Sequence, residues 1–323
     1  MRAVIADRTG PPDVLEPVEL PDPVPGAGQV LVAVEAAAIT FIDTQMRAGT
    51  SPRQLPPDAF PVVLGNGVAG RVAALGDGVH ASWLGVEVVT TTGGRGGYAS
   101  RAVAAESDLH RVPAGLDARR AVALVADGRT ALGLARAAGI RPGETVVVTA
   151  AGGGVGSLLV QLARNAGATV VGLAGDARKL DHARGLGAGA TVNYRDDDWA
   201  RQVAAVAPDG VDVAFDGVGG SVSGRLVEQV RSGGRYLPHG AASGSWGAVD
   251  TDIAAGRGVT IVPLDSIGSG PLGLNRLIDE ALDLGAAGRI RPTIGQTYPL
   301  DQAAAAHAAI EARTALGKTL LIP

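Results

Sequence analysis

The segment ETVVVTAAGGGVGSLLVQLARNAGATVVGL, residues 144–173, decides how the rest of the chain is interpreted. Its β-branched run at 145–149 predicts a buried strand, and the glycine-rich residues 151–156 predict a tight turn. The apolar spacing that follows predicts a helix ending at Gly167, and residues 169–173 predict the next strand. A strand, a turn, a helix and a strand within about thirty residues is the setting in which a glycine pattern binds a dinucleotide.

Three positions of the turn match the pattern G-x-G-x-x-G: Ala151, which replaces the first glycine, Gly153 and Gly156. Gly153 lets the backbone approach a pyrophosphate, and Gly156 lets the helix pack closely on its strand. The unpaired N–H groups at the start of the helix then hold phosphate oxygens. The predicted cofactor-binding residues of this loop are Ala151, Gly152, Gly153, Gly154, Val155 and Gly156.

Length and composition predict a globular protein of two domains, because 323 residues exceed the usual size of a single core. The 28 basic and 32 acidic residues leave no electrostatic footprint for nucleic acid. No apolar run approaches the length of a membrane span, and the N-terminus lacks a signal-peptide core. The chain has no Cys, which excludes disulfides and thiolate zinc sites. We therefore expect a cytoplasmic protein that binds neither nucleic acid nor membrane.

The order of predicted elements divides the chain into a β-rich part and an alternating part. Residues 1–120 contain short strand candidates separated by Gly and Pro, which indicates a barrel-like or partly open β domain. Between residues 121 and 263 helices and strands alternate, which predicts an α/β domain with a doubly wound parallel sheet. We expect residues 264–323 to return to the first domain, which is then discontinuous, with the ligand cleft between the two domains.

Several short motifs spread over nearly the whole chain carry a family resemblance. They are FIDT at 41–44, PVVLGNGVAG at 61–70, Thr130-Ala131, residues 150–156, 179–188, NYR at 193–195, DGVGG at 216–220, GGRY at 233–236 and Gly317-Lys318. Together they resemble the medium-chain dehydrogenase/reductase superfamily and, within it, the zinc-independent quinone oxidoreductase family. The resemblance implies a Rossmann domain, a GroES-like catalytic domain, and NAD(P)H-dependent reduction of a quinone or an activated double bond, usually in a homodimer.

The chain departs from the family pattern on the substrate side. Thr40 stands where the family has Asn, Gln45 where it often has Tyr, and Gly67 where it has an acidic residue. The cofactor side keeps the pattern, so the departures predict an unusual substrate. The polar candidates for stabilising a developing enolate are Thr40, Gln45, Asn66 and His239.

The residues after the second strand indicate which dinucleotide is bound. An NAD site needs a carboxylate on the ribose 2′-OH, and the position about eighteen residues after Gly156 holds Ala174. Asp176 lies two residues further on and leaves NADH open. By resemblance, Gly175, Lys179 and Tyr194 surround a 2′-phosphate, although Lys179 also fits an ordinary solvated helix face. We therefore expect NADPH rather than NADH, with Thr130, Gly217 and Gly240 completing the cofactor-binding set.

The five histidines show no zinc-site spacing, so no metal is expected. His239 follows a predicted strand, at the sheet edge where the nicotinamide is expected. It can donate a proton to the substrate or serve only as a structural loop residue. Tyr98 is interpreted as a packing residue.

The leading functional hypothesis is a metal-independent reductase. NADPH delivers hydride to a quinone, or to the C=C bond of an α,β-unsaturated carbonyl compound, while the protein stabilises the enolate. The alternative is a catalytically inactive relative that binds NADPH as a sensor or a structural subunit. An alcohol dehydrogenase activity is disfavoured because the sequence offers no metal ligand set.

Overall fold

The structure is a computed structural model that describes residues 1–51, 55–247, 249–268 and 273–323. The chain forms two compact units. We call Met1–Ala126 with Ile278–Pro323 the split unit, and Asp127–Leu277 the central unit. The functional boundaries expected at residues 120 and 263 stay a prediction, and residues 269–272 of the expected return segment lie outside the described part.

The strands in the described residues are β1 (Arg2–Ala6), β2 (Leu15–Glu19), β3 (Gln29–Ile39), β4 (Val62–Val63), β5 (Gly67–Leu75), β6 (Glu87–Thr91), β7 (Arg101–Ala105), β8 (Leu109–Arg111), β9 (Thr145–Val148), β10 (Thr169–Ala174), β11 (Ala190–Asn193), β12 (Val211–Asp216), β13 (Val230–Pro238), β14 (Thr260–Ile261), β15 (Ile294–Pro299) and β16 (Lys318–Ile322). The helices are α1 (Phe41–Ala48), α2 (Ala118–Ala138), α3 (Gly154–Asn165), α4 (Ala177–Leu186), α5 (Trp199–Val206), α6 (Ser221–Val227), α7 (Thr251–Gly256), α8 (Gly273–Ala286) and α9 (Ala303–Glu311).

The split unit is organised around β3, a long strand of small and β-branched residues. Among the described residues its main sheet has the order β15-β16-β3-β5-β6-β8, with β7 also paired to β3. Strand β16 comes from the far end of the sequence and pairs with both β15 and β3. Residues from both ends of the sequence share one core, which includes Val34, Val68, Tyr98 and Leu321.

The central unit contains a parallel sheet in the order β11-β10-β9-β12-β13-β14. The chain leaves β9 in one direction to form β10 and β11, and later returns to the other side of β9 to form β12. This reversal is the switch point where doubly wound sheets bind ligands. The prediction of an α/β fold with a doubly wound parallel sheet and a GroES-like domain is therefore confirmed.

Several short elements were absent from the sequence prediction. Strand β2 contains Pro17, which argues against a strand, but it pairs only with β1 at the edge of a small sheet. Helix α7 has six residues and depends on its cap, since the Asp250 carboxylate accepts from the backbone N–H of Asp252 and Ile253. Within the described part of the chain, no helix has the length and apolar character needed to cross a membrane.

Candidate cofactor and active site

The glycine turn between β9 and α3 is crowded to different degrees at its two key glycines. A Cβ atom at Gly156 would lie 2.2 Å from the Ala150 carbonyl oxygen, so α3 packs against the turn with no space for a side chain. At Gly153 the nearest atom within 4 Å of a Cβ would be that same oxygen, at 3.2 Å, which is a tight contact but not a collision. Of the two glycines, Gly153 is the less crowded, which suits the position that a pyrophosphate approaches closely.

Lys179 lies against this turn from α4. A Cβ atom at Gly152 would come within 2.6 Å of the Lys179 Cβ atom and 2.7 Å of its Cγ atom. The aliphatic stem of Lys179 therefore covers the loop, and its exposed fraction is 15%. The neighbouring Ala151 is fully buried, and its N–H donates to the carbonyl of Leu173 in β10 at 3.0 Å.

Gly175 follows β10 and borders a polar corner. A Cβ atom there would meet the Tyr194 hydroxyl at 3.0 Å and the Arg195 Nε atom at 2.9 Å. Sequence reasoning placed Gly175 and Tyr194 here but omitted Arg195, although it directly follows Tyr194 in the NYR motif. A hydroxyl and a guanidinium that both lie close to Gly175 form a suitable donor set for a phosphate dianion.

Asp176, which left NADH open as an alternative, caps helix α4. One carboxylate oxygen accepts from the Lys179 backbone N–H at 3.0 Å, and the other lies 3.4 Å from the Lys179 Nζ atom. Burial alone would raise the pKa of Asp176, but the Lys179 hydrogen bonds and the charges of Lys179 and Arg178 lower it. Its oxygens are thus engaged with Lys179 rather than directed toward a ribose.

The ends of β12 and β13 bring Gly217, His239 and Gly240 together. A Cβ atom at Gly217 would lie 2.9 Å from the His239 Nε2 atom, and one at Gly240 would lie 2.7 Å from the Gly217 carbonyl oxygen. Burial lowers the pKa of His239, so its ring is neutral near neutral pH. The structure thus brings together three residues that the sequence analysis named separately, and their roles at the cofactor stay a prediction.

Thr130 lies half-buried on α2. One turn before it on the same helix is Asp127, which the sequence analysis did not include among the site residues. Asp127 is 9% exposed, and a Cβ atom at Gly154 would lie 1.9 Å from its Oδ2 atom. The carboxylate therefore packs on the first residue of α3, and Gly154 is required for that contact. Burial lowers the pKa of Arg129, and the charge of Asp127 opposes this shift.

In the split unit, Thr40 caps helix α1 and is bound to a buried carboxyl group. Its backbone N–H and its hydroxyl both donate to the Asp43 Oδ2 atom, each at 2.7 Å. Burial raises the pKa of Asp43, and the hydrogen bonds from Thr40 oppose this shift. The Asp43 carboxyl also interacts with the hydroxyl of Tyr98, which lies 2.9 Å from the His307 Nε2 atom. The Thr40 hydroxyl is therefore the outer end of a buried polar chain.

The other two split-unit candidates occupy different settings. Gln45 is half-buried on α1, and its main-chain carbonyl accepts from the N–H groups of Thr50 and Ser51. The Asn66 Oδ1 atom accepts from Thr92 N at 3.2 Å and from Gly94 N at 2.7 Å. The side-chain oxygen of Asn66 thus stabilises the 92–94 turn. The N–H groups of the same side-chain amide are available to donate to a ligand.

A catalytic metal of the kind used by zinc-dependent dehydrogenases does not fit this chain. Over the described ranges, no group of three or more His, Cys, Asp or Glu side chains is arranged to hold a metal ion. The sequence also supplies no thiolate ligand, because it contains no Cys.

Two family models match the chain. An alcohol dehydrogenase GroES-like domain matches residues 26–114, and a zinc-binding dehydrogenase domain matches residues 186–321. The first lies in the split unit, and the second extends from the central unit into the last residues of the split unit. The first match supports the predicted GroES-like domain, and the predicted boundaries between the two domains stay a prediction.

Individual relatives match over their full length. A quinone oxidoreductase of Pseudomonas aeruginosa is 34% identical over 320 residues, which span 97% of each chain. A 2-haloacrylate reductase of a Burkholderia species is 31% identical over 332 residues, which span 100% of this chain and 99% of the relative. The crystal structure of Escherichia coli quinone oxidoreductase complexed with NADPH has a TM-score of 0.91 and 30% identity, and the match covers 100% of both chains.

Proposed function

Because this chain belongs to the zinc-independent quinone oxidoreductase family of the medium-chain dehydrogenase/reductase superfamily, and is thus an NAD(P)H-dependent oxidoreductase, we propose that it reduces a quinone or the C=C bond of an α,β-unsaturated carbonyl compound with NADPH. The observation that carries the proposal is the donor set at Gly175, where a Cβ atom would lie 2.9 Å from the Arg195 Nε atom and 3.0 Å from the Tyr194 hydroxyl. This donor set fits a 2′-phosphate, and the N-terminus of α3 after Gly153 fits a pyrophosphate.

The preference for NADPH over NADH rests on the corner at Gly175. Tyr194 and Arg195 border the space above this glycine, and the Lys179 side chain lies over the adjacent turn. Cationic and hydroxyl donors favour a phosphate dianion, whereas a ribose 2′-OH needs an acceptor. The one nearby carboxylate, Asp176, is used to cap α4 and to pair with Lys179.

When bound, NADPH supplies the hydride, and the protein contributes position and electrostatics. The α3 N–H groups and Lys179 hold the anionic parts of the cofactor. Reduction of a conjugated C=C bond places negative charge on a carbonyl oxygen, which needs a hydrogen-bond donor. The amide N–H groups of Asn66 are such donors. His239 is not a donor in its neutral form, because its Nδ1 atom lies 3.4 Å from the Leu237 carbonyl and carries the single ring proton there, which leaves Nε2 as an acceptor. Thr40 is a donor only when Asp43 is protonated, because its hydroxyl otherwise donates to that carboxylate.

Two relatives define the range of electron acceptors. By their names, one relative acts on quinones and the other on a 2-haloacrylate, which contains a C=C bond beside a carboxylate. Both acceptors contain a C=C bond conjugated to a carbonyl or carboxylate group. We assign the reduction of an acceptor of this conjugated type to the present chain. The altered positions Thr40, Gln45 and Gly67 would determine which acceptor it uses.

We also propose that the enzyme is a metal-independent, cytoplasmic homodimer. The dimer is supported by the resemblance of the chain to its family, and the metal independence by the poor fit of its side chains to a zinc site. Cytoplasmic location is supported by the absence of Cys. Activity that survives exhaustive chelation, and a dimer mass in light scattering, are the expected results.

A panel of quinones and enones tests the main proposal. Purified protein is mixed with NADPH or NADH and each acceptor, and cofactor oxidation is followed alongside a binding titration. Turnover with NADPH and at least one acceptor is the expected result. Tight binding of NADPH without turnover across the panel would favour the alternative of an inactive sensor or structural subunit. Failure to bind NADPH would refute the proposal.

A further inference from the structure

Asp216, the last residue of β12, carries a fully buried carboxylate with an unusually complete set of donors. It is 1% exposed, and both carboxylate oxygens accept hydrogen bonds from within the central unit. The donors to Oδ1 are Thr149 Oγ1 at 3.0 Å, Val218 N at 3.0 Å and Gly219 N at 3.1 Å; those to Oδ2 are Ser223 Oγ at 2.5 Å and Tyr236 OH at 2.6 Å.

The main chain of Asp216 holds a second loop. Its carbonyl oxygen accepts from the N–H groups of His239 at 2.8 Å and Gly240 at 3.2 Å. We call residues 217–220 the first loop and residues 239–243 the second loop. Direct bonds join the two, since the Val218 carbonyl accepts from Ser243 N at 2.8 Å. One residue thus fixes the loop that follows its own strand and the loop that follows the neighbouring strand.

A carboxylate lets every partner donate. Each partner is an N–H or O–H group, and an ionised carboxylate accepts at both of its oxygens. An asparagine at position 216 would accept at one oxygen only, and its amide would have to donate to the Ser223 and Tyr236 hydroxyls, whose own protons would then need other acceptors. Burial raises the pKa of Tyr236, and the charge of Asp216 raises it further, so the phenol stays a neutral donor. Fully satisfied buried networks make their surroundings rigid.

The position of this network in the sheet identifies the half of the cofactor that it serves. The glycine turn follows β9, and the corner for the 2′-phosphate follows β10 on one side of β9. Asp216 ends β12 on the opposite side of β9. A dinucleotide with its pyrophosphate at the turn and its adenosine end over β10 therefore extends its nicotinamide half toward the first and second loops.

We propose that Asp216, Tyr236 and Ser223 are positioning residues that pre-organise these two loops for the nicotinamide half of NADPH. Gly217 and Gly240 are the loop positions that meet the cofactor, and the buried network keeps them in place before binding. A rigid site avoids the ordering cost of binding, so loosening the network lowers affinity. This inference rests on the cofactor part of the proposed function and is independent of the substrate.

A pair of ligands distinguishes positioning from general structural support. NADPH has both halves, whereas adenosine 2′,5′-bisphosphate lacks the nicotinamide and needs only the adenosine end of the site. Removing the Tyr236 hydroxyl with Tyr236→Phe should raise the Kd for NADPH about tenfold, from the loss of one hydrogen bond to a charged group. The Kd for adenosine 2′,5′-bisphosphate should stay within about twofold of the wild-type value. Calorimetric titration measures both constants.

The matched control is Tyr98→Phe, which removes another fully buried tyrosine hydroxyl, bonded to His307 in the split unit. This change should alter neither Kd. Ser223→Ala repeats the test at the second donor to Oδ2, should Tyr236→Phe fail to fold. Equal loss of both ligands, or unchanged NADPH binding in both variants, would overturn the inference. A wild-type protein that binds adenosine 2′,5′-bisphosphate but not NADPH would overturn it together with the proposed function.

Discussion

The two glycines of the turn should respond in opposite ways to the same substitution. Gly153→Ala adds a methyl group 3.2 Å from the Ala150 carbonyl oxygen, with a backbone φ of −85° that any residue adopts. Gly156→Ala adds the same methyl group 2.2 Å from that oxygen. The first change should weaken cofactor binding and largely spare the fold, whereas the second should damage the fold.

The distances give the expected magnitudes. At Gly156 the new carbon must move by roughly 1 Å to reach an ordinary contact, which costs about 3 kcal/mol of stability and lowers the Tm by roughly 6–12 °C. At the half-buried Gly153, a shift of a few tenths of an ångström relieves the 3.2 Å contact, so the loss of stability should be about 1 kcal/mol or less. Displacing one charge-assisted bond to the pyrophosphate costs on the order of 1.5–3 kcal/mol, which corresponds to a ten- to hundred-fold increase in the Kd for NADPH.

Thermal unfolding followed by circular dichroism and NADPH titration by fluorescence measure the two effects on the same preparations. The wild-type protein and both variants are compared without cofactor for stability, and then with NADPH for affinity. If Gly153→Ala binds NADPH normally, the loop is only a turn and the pyrophosphate lies elsewhere. A Gly156→Ala variant as stable as the wild type would refute the argument from close packing.

Three further predictions follow from the site and its surroundings. Lys179→Ala should weaken NADPH by on the order of 1.5–3 kcal/mol and leave NADH nearly unchanged, as paired titrations would show; equal losses would contradict the 2′-phosphate assignment. Burial lowers the pKa of His307 from 6.5 to about 3, so stability present above pH 6.5 is lost as the pH falls toward 3. Between about pH 7.5 and 5 this loss is about 2 kcal/mol, and His307→Gln should remove it from urea unfolding curves; an unchanged pH dependence would contradict this. Because Gln45 and Gly67 stand where the family pattern has larger residues, kcat/KM should be higher for bulky enones than for small benzoquinones, and Thr40→Asn should shift this profile; a preference for the smallest acceptors would contradict the prediction.

The strand–turn–helix–strand unit at 144–173 could be predicted from the sequence because the patterns that determine it are local. The β-branched run, the glycines and the apolar helix spacing occur within 144–173, and each acts on neighbouring residues only. The structure places β9, α3 and β10 within about one residue of the predicted bounds. The roles expected for Gly153 and Gly156 depend on the same short stretch, and the distances around them are consistent with those roles.

The buried hydrogen-bond networks could not be predicted from the sequence, because the residues that form them are distant along the chain. Tyr98 and His307 are separated by 209 positions, and no local pattern connects them. The sequence suggested a packing role for Tyr98, and its hydroxyl proves to be part of a buried polar chain. Asp216 was noted as part of a motif, yet its donors Ser223 and Tyr236 come from two other elements. Only tertiary structure decides which polar groups share a buried space.

The path of the chain through the split unit has a consequence for biosynthesis. One edge of β3 is shared, with residues 29–33 paired to β7 and residues 37–39 paired to β16. About 280 residues separate β3 from β16, and a ribosome needs on the order of 15–60 s to add them. Throughout that interval the 37–39 edge of the nascent chain is an unpaired strand edge, a template for association with other chains. The central unit, whose sheet uses only its own contiguous residues, can fold while that edge is still open.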